Sequence, residues 1–243
     1  MPLNRRHELK YLITPLDYLL IRERLRSIAE PDPHSGADGT YSISTLYFDD
    51  DRRSAERETD DGVDDRRKLR ARIYRRSAAP IRFEIKEKKG HLVSKRTFPV
   101  TSEECRRLCE ADGSFLLHRQ EPAARELYLQ FAHRSLRPRV VVDYRREAYV
   151  FSHGDVRITF DRHLSAGGER GEATAGDFLD GTGKSRPVLP DATMILEVKF
   201  GAYLPDHVRD TLQLAGRTRL SISKFLLCAR STITTGKEGL WTD

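Results

Sequence analysis

The sequence predicts an α+β fold: a many-stranded antiparallel sheet with helices packed on its outside. Strand-like runs recur along the chain, and several carry an apolar residue at every second position. Helix-start signals separate these runs, at Thr14-Pro15, at Thr101 with Glu104, and at Pro205. A third observation concerns where the charge falls. In "RKLRARIYRRSAAPIRFEIKEKKGHLVSKRTF", residues 67–98, Arg70 and Arg72 alternate with Leu69, Ala71 and Ile73. Glu84, Lys86 and Lys88 alternate in the same way with Phe83 and Ile85.

In chain order, "RRHELKYLI" (5–13) reads as the first strand. Thr14 caps a helix that Pro15 opens and that runs to Pro31, with an apolar face of Leu16, Leu19, Leu20, Ile21, Leu25 and Ile28. "PDPHSGADG" is a loop by composition, and "YSISTLYFDD" a strand rich in β-branched and aromatic residues. Residues 50–65 read as a mobile loop with a short helix. Strands follow at 66–76, 80–89 and 92–100, turning at Ser77-Ala78-Ala79-Pro80 and at Lys89-Gly90-His91. Helices are expected over 101–111 and 121–134, and strands over 137–151 and 156–164. Residues 165–185 form a Gly-rich loop around a helical turn. A strand at 192–200, a helix from Pro205 to Gly216 and a last strand, "LSISKFLLCAR", complete the series. No break splits it, so 1–243 reads as one domain, with a core of about 4–230 and a flexible tail from Ser231.

The composition bounds the function. The 243 residues include 43 Lys and Arg against 37 Asp and Glu, a net charge of +6 that favours an anionic partner. Three cysteines do not make a disulfide framework, and Cys105 and Cys109 read as small apolar side chains on one helix face. The eight histidines do not cluster at metal spacing. Nothing resembles a signal peptide, and no apolar run approaches the ~20 residues of a membrane-spanning helix. A soluble, cytoplasmic protein is expected. The run "RRKLRARIYRR" could serve as a nucleic-acid patch, but few aromatics interleave it and its alternation is strict, so no nucleic-acid partner is expected.

The charged strand faces admit two readings. They are either solvated faces laced by cross-strand ion pairs or the inner wall of a closed barrel with a polar lumen. The faces carry Glu8 and Lys10, Arg70 and Arg72, Glu84, Lys86 and Lys88, Arg157, and Glu197 and Lys199. A lumen of that kind suits a linear phosphate chain, because Arg forks bind phosphate oxygens in pairs and Lys acts as a point charge. The carboxylates Glu197, Glu8 and Glu84 are candidates for a hard divalent metal that bridges to phosphate; the alternative for each is a structural ion pair.

In their order along the chain, "RHELKYLI", "STLYFDD", "KLRARIY", "FEIKEKK…VSKRTF", "VVVDYRREAY", "VRITFDRHL", "ILEVKF" and "SISKF" resemble the VTC domain. This is the polyphosphate polymerase domain of the triphosphate tunnel metalloenzyme superfamily, and the resemblance spans about residues 4–228. It implies a closed antiparallel β-barrel with helices outside, and transfer of the terminal phosphoryl of ATP to a growing polyphosphate chain with release of ADP. The metal implied is Mn²⁺ or Mg²⁺. Carried over, Lys10, Arg70, Arg72, Lys86 and Lys95 are the catalytic clamp on the nucleotide phosphates. Lys88, Tyr144, Arg146, Arg157, Lys199, Ser223 and Lys224 bind the phosphate chain, and Glu197 holds the metal. Of the adjacent Arg145 and Arg146, only one can face inward without a bulge; the "YxR" motif selects Arg146.

The sequence departs from the superfamily in two places. Arg6 stands where an "ExExK" opening has its first glutamate, and Ser221 stands where the last strand commonly has a lysine. These departures leave two other functions to weigh: a polyphosphate-binding module without turnover, and an inorganic tripolyphosphatase. Family members can work beside membrane-embedded partners; here such a partner would be a separate protein.

Overall fold

The computed structural model describes residues 6–75, 77–90, 92–151, 155–214 and 217–233. Strand β1 (His7–Ile13) runs into helix α1 (Pro15–Arg26). The Thr14 hydroxyl accepts from the Asp17 N–H at 3.2 Å, and the Asp17 carboxylate accepts from the Thr14 N–H at 3.0 Å. This reciprocal box satisfies two N–H groups that the helix start would leave unpaired. There follow β2 (Glu30–Pro31), β3 (Thr40–Asp49), α2 (Ser54–Asp60), β4 (Arg66–Tyr74), β5 (Ser77–Lys89) and β6 (Leu92–Val100). Next come α3 (Ser102–Cys109), a 3₁₀ turn (Ser114–His118), α4 (Pro122–Arg134), β7 (Arg137–Phe151) and β8 (Val156–Gly167). The chain continues through α5 (Ala175–Leu179), β9 (Ser185–Pro187), β10 (Met194–Phe200), α6 (Asp206–Leu212) and α7 (Lys224–Ser231).

Eight strands form one antiparallel path in the order β1-β10-β8-β7-β3-β4-β5-β6, with β2 added on β7 and β9 on β8. The sheet curls until its two ends meet. Arg6 and Val93 pair across the seam, each donating its N–H to the other's carbonyl at 3.2 Å. Among the described residues the barrel therefore closes through a single bridge rather than a full ladder.

The period-2 pattern decides which side each residue takes. Outward-facing Leu69, Ala71, Ile73, Phe83, Ile85 and Phe98 pack under α3, α4 and the 3₁₀ turn, through Cys105, Leu108, Leu116, Leu127 and Phe131. On the other flank, Ile158, Phe160, Leu196 and Val198 pack under α1 and α6, against Ile21, Leu25, Val208 and Leu212. Each Leu, Ile, Val or Phe among them contributes about 1.5–3 kcal/mol by leaving water. A third cluster lies on the inner side. Ile43, Val142 and Ile195 share the strand parity of the lumen-facing residues, and Phe225, Cys228 and Ala229 of α7 pack onto them. Helix α7 thus fills part of the barrel.

That placement corrects the expected last strand over 220–230. Ser223 caps a helix instead, its hydroxyl accepting from the Leu226 N–H at 3.3 Å. Phe225, Cys228 and Ala229 are buried at i, i+3 and i+4, the helical period. Helix α1 is shorter than expected and narrower in its buried face. Tyr18, Ile21 and Leu25 are buried, whereas Leu16, Leu19, Leu20 and Ile28 are 65, 51, 48 and 40% exposed. The helix expected to reach Gly216 ends at Leu212, and residues 215–216 lie outside the described residues. His91 of the second hairpin turn also lies outside them, as do residues 234–243 of the expected tail; Ser231 itself still belongs to α7. Among the described residues no helix is long and apolar enough to cross a membrane.

Candidate active site

The inner faces of β1, β4, β5, β7 and β10, with the coil entering α7, enclose a cavity of about 460 Å³. Register brings the charges together. On the paired strands β4 and β5, Lys68 stands opposite Lys86 and Arg66 opposite Lys88. On β1 and β10, Glu8 stands opposite Lys199 and Lys10 opposite Glu197. Eleven lysines and arginines line the cavity against two carboxylates, Glu8 and Glu197. A wall of ion pairs would balance; the groups that line this cavity carry an excess of positive charge, which attracts anions.

Two fully buried carboxylates beneath the wall hold its arginines in place. Glu84 accepts from Arg70 Nε at 2.6 Å and from Lys95 Nζ at 2.9 Å, with Arg72 at 3.7 Å. Burial pushes the Glu84 carboxyl up, but Arg70, Arg72 and Lys95 outweigh it and hold it far below the usual range. Asp161 takes both Nε (2.6 Å) and Nη2 (2.8 Å) of Arg146 and also pairs with Lys224 at 2.7 Å. Burial opposes ionisation there too, and the same two cations win. Arg70 further donates to the Tyr47 hydroxyl at 2.9 Å. The Tyr144 ring supports Arg146 at 5.2 Å and Lys224 at 5.3 Å.

The cavity carboxylates are ionised as well. Burial raises Glu8, but Lys86 at 3.1 Å and Lys199 at 3.8 Å bring it down to about 2. Glu197 lies well below the ordinary value despite its burial, under Lys199, Lys224, Lys10 and Arg146. In the other direction, burial lowers Lys86 to about 8 despite Glu8. Glu8 and Glu197 on neighbouring strands fit a hard divalent ion, which takes one or two carboxylates and completes its shell with water and substrate phosphate. The Thr159 hydroxyl, opposite Glu197 in register, is buried without a hydrogen-bond partner, so a polar contact near that carboxylate is open. Among the described residues no group of three or more His, Cys, Asp or Glu could hold a metal unaided.

Twelve of the expected residues reach the cavity: Glu8, Lys10, Arg70, Arg72, Lys86, Lys88, Tyr144, Arg146, Glu197, Lys199, Ser223 and Lys224. Three do not. Glu84, expected at the metal, has no exposed surface, and its carboxylate is taken by Arg70 and Lys95. Lys95, expected on the nucleotide, is held by that same carboxylate. Arg157 turns to Asp32 and to the Tyr41 hydroxyl (2.7 Å), because Asp32 is a buried carboxylate within its reach. Ordinary strand alternation separates the adjacent arginines: Arg146 faces in, and Arg145 bonds to Thr40 and Asp38 outside the cavity.

The cavity also holds Arg66, Lys68, Tyr47 and Arg219, which the motif reading passed over. Arg66 and Lys68 extend the alternation of Arg70 and Arg72 and were legible by parity. Arg219 lies in coil, where no period marks it. It stands two residues before Ser221, and both line the cavity, so a cation sits next to the position where one was missing.

Solved structures resemble this chain. A solved Hippeastrum protein, named as a candidate adenylyl cyclase with a dominant triphosphatase activity, is 13% identical with a TM-score of 0.53, over 95% of this chain and 97% of its own. A Pyrococcus horikoshii protein is 14% identical with a TM-score of 0.46, over 93% of this chain and 99% of its own. At 13% identity the first of these speaks for the fold alone. No curated protein sequence matches the chain. The model of the VTC domain matches residues 5–233, so the chain belongs to the VTC domain family.

Proposed function

We propose that this protein is a metal-dependent polyphosphate polymerase, which moves the terminal phosphoryl group of ATP onto a polyphosphate chain held in the barrel. The observation that carries the reading is the lumen itself: eleven cations, four of them anchored from beneath by Glu84 and Asp161, facing two ionised carboxylates.

Phosphoryl transfer needs positioning and charge stabilisation more than covalent participation by the protein. Arg70 and Arg72 clamp the nucleotide phosphates, and their pairing with Glu84 fixes the forks before substrate arrives. Lys10 and Lys86 add point charges beside them. Arg146, Lys199 and Lys224 line the path of the product chain, with Lys88 and Ser223 at its edges. A terminal oxygen of the chain attacks the γ-phosphorus, the bond to the β-phosphate oxygen breaks, and ADP leaves with that oxygen. Glu197 and Glu8 would hold Mn²⁺ or Mg²⁺, which when bound neutralises phosphate charge and polarises the bond that breaks. Lys95 and Glu84 act beneath the site by positioning the arginines.

The test is incubation of the purified protein with ATP and Mn²⁺, followed by measurement of ADP and of polymer resolved on a gel. The expected result is polymer and ADP from the wild type and neither from Glu197→Ala. Tight polyphosphate binding with no ADP would replace the proposal with a binding module. Orthophosphate released from tripolyphosphate, without polymer, would replace it with a hydrolase.

A further inference from the structure

Five other lysines line the cavity, and each has a carboxylate within 4.0 Å: Lys10, Lys86 and Lys199 share Glu8, Lys88 has Asp64 and Lys224 has Asp161. Lys68 has none among the described residues. Its Nζ donates to the Ser223 hydroxyl at 2.9 Å and lies over the Phe225 ring at 5.2 Å. The charged groups that act on it most strongly are cationic: Lys86 opposite on β5, Arg66 and Arg70 flanking it on β4, and Lys10 from β1, while Glu8 is engaged by Lys10 and Lys86. From β3, Tyr47 lines the same cavity and accepts from Arg70, while the Asp49 carboxylate is turned to the N–H groups of Asp50, Ala55 and Glu56. From α7 come Ser223 and Phe225, and Lys224 is already paired with Asp161.

We infer that Lys68 is a further phosphate-binding residue of this lumen, and that it waits there as the neutral amine and takes one proton from solvent when a polyanion enters. The inference rests on the phosphate-chain reading of the site. Four cations oppose its charged form and no carboxylate among the described residues offsets them; the Phe225 ring and the Ser223 hydroxyl, each a weak partner, return only a small part to the ammonium. Burial, then Lys10, Lys86, Arg66 and Arg70, hold the ammonium well below the ordinary lysine range. A phosphate oxygen reverses that balance: the amine protonates and donates to it. The empty barrel thereby carries one repelling charge fewer, and the filled barrel one attracting charge more.

The sign of the pH dependence follows. The free-state pKa is low and the bound-state pKa is raised. Between the two, binding takes up a proton and weakens as pH rises, by up to about tenfold in Kd per pH unit for one proton.

The test is calorimetry of inorganic tripolyphosphate binding without metal at pH 7.5, in two buffers of different protonation enthalpy. Wild type, Lys68→Met and Lys68→Arg are compared, so that proton exchange by the ligand is common to all three and that of Lys86, which stands opposite residue 68, is bracketed by one uncharged and one charged variant. The wild type is expected to take up about one proton more than either variant. Lys68→Arg, charged from the start, is expected to bind more tightly than Lys68→Met. Equal proton counts in wild type and both variants would overturn the inference and leave the functional reading standing. Absence of tripolyphosphate binding by the wild type would overturn both. Should Lys68→Met fail to fold, the pH dependence of wild-type Kd against that of Lys68→Arg decides: parallel slopes overturn the inference.

Discussion

The two faces of β4 hold the same residue type in opposite circumstances. Outward, Arg67 pairs with Glu87 at 2.6 Å and with Glu126 at 3.0 Å. Arg96 joins both carboxylates, giving two cations and two anions. Inward, Arg66, Lys68, Arg70 and Arg72 face a lumen where cations far outnumber carboxylates. An arginine on a strand therefore says little; the balance of its face says much. The outer network is balanced within the molecule, and the inner wall keeps an excess of positive charge.

The difference can be broken most sharply from beneath the inner wall. Glu84→Gln leaves Arg70, Arg72 and Lys95 without their shared carboxylate. Removing one partner of a buried ion pair costs about 3–5 kcal/mol, so a large fall in the urea midpoint is expected. Added tripolyphosphate should restore part of that loss by replacing the missing negative charge. A midpoint within error of the wild type would show that Glu84 does not carry the wall.

Next in size is removal of the wall's own cations. Arg70→Met and Arg72→Met each delete a charge-assisted contact worth about 1.5–3 kcal/mol. Each should weaken tripolyphosphate binding roughly 10–100-fold by calorimetry. Stability should fall less than in Glu84→Gln, since each variant also relieves repulsion in the empty lumen.

The pH dependence of the empty protein tests the same repulsion. Lys86 has a folded pKa of about 8, depressed from 10.5 by burial. The folded state then binds fewer protons than the unfolded one across that window, so this group makes stability rise with pH from about 8 to about 10.5. Glu8 works at the acid end. Its folded pKa of about 2 lies below 4.5, so its contribution is full above about 4.5 and is lost as pH falls toward 2. Thermal melts across pH should show the alkaline gain in the wild type and a smaller one in Lys86→Met.

The smallest effect belongs to the outer face. Arg67→Ala cuts partly exposed pairs worth about 0.2–1 kcal/mol and should leave tripolyphosphate affinity unchanged. A loss of affinity there as large as in Arg70→Met would erase the distinction between the two faces.

Most of this arrangement was legible because strand parity is a local signal. Arg70, Arg72, Lys86, Glu8, Lys10, Glu197 and Lys199 follow it into the lumen without knowledge of the fold. Where distant partners decide, parity fails. Arg157 has the right position on β8, but Asp32, 125 residues away, captures it. Glu84 has the right parity too, yet the arginines on β4 close over it. The end of the chain misled for another reason: "LSIS" alternates like a strand, while the helical spacing of Phe225, Cys228 and Ala229 becomes visible only from Ser223 onward. Arg219, in coil, had no period to betray it.

Whether the cationic inner wall of the barrel is a phosphate-chain site can be seen directly. The most direct measurement is a crystal structure of the wild type with tripolyphosphate and Mn²⁺. Phosphate density is expected inside the barrel, in contact with Arg70 and Arg72 and extending toward Arg146 and Lys224, with the metal on Glu197. Tripolyphosphate bound only on the outer surface, with the lumen unchanged, would contradict it.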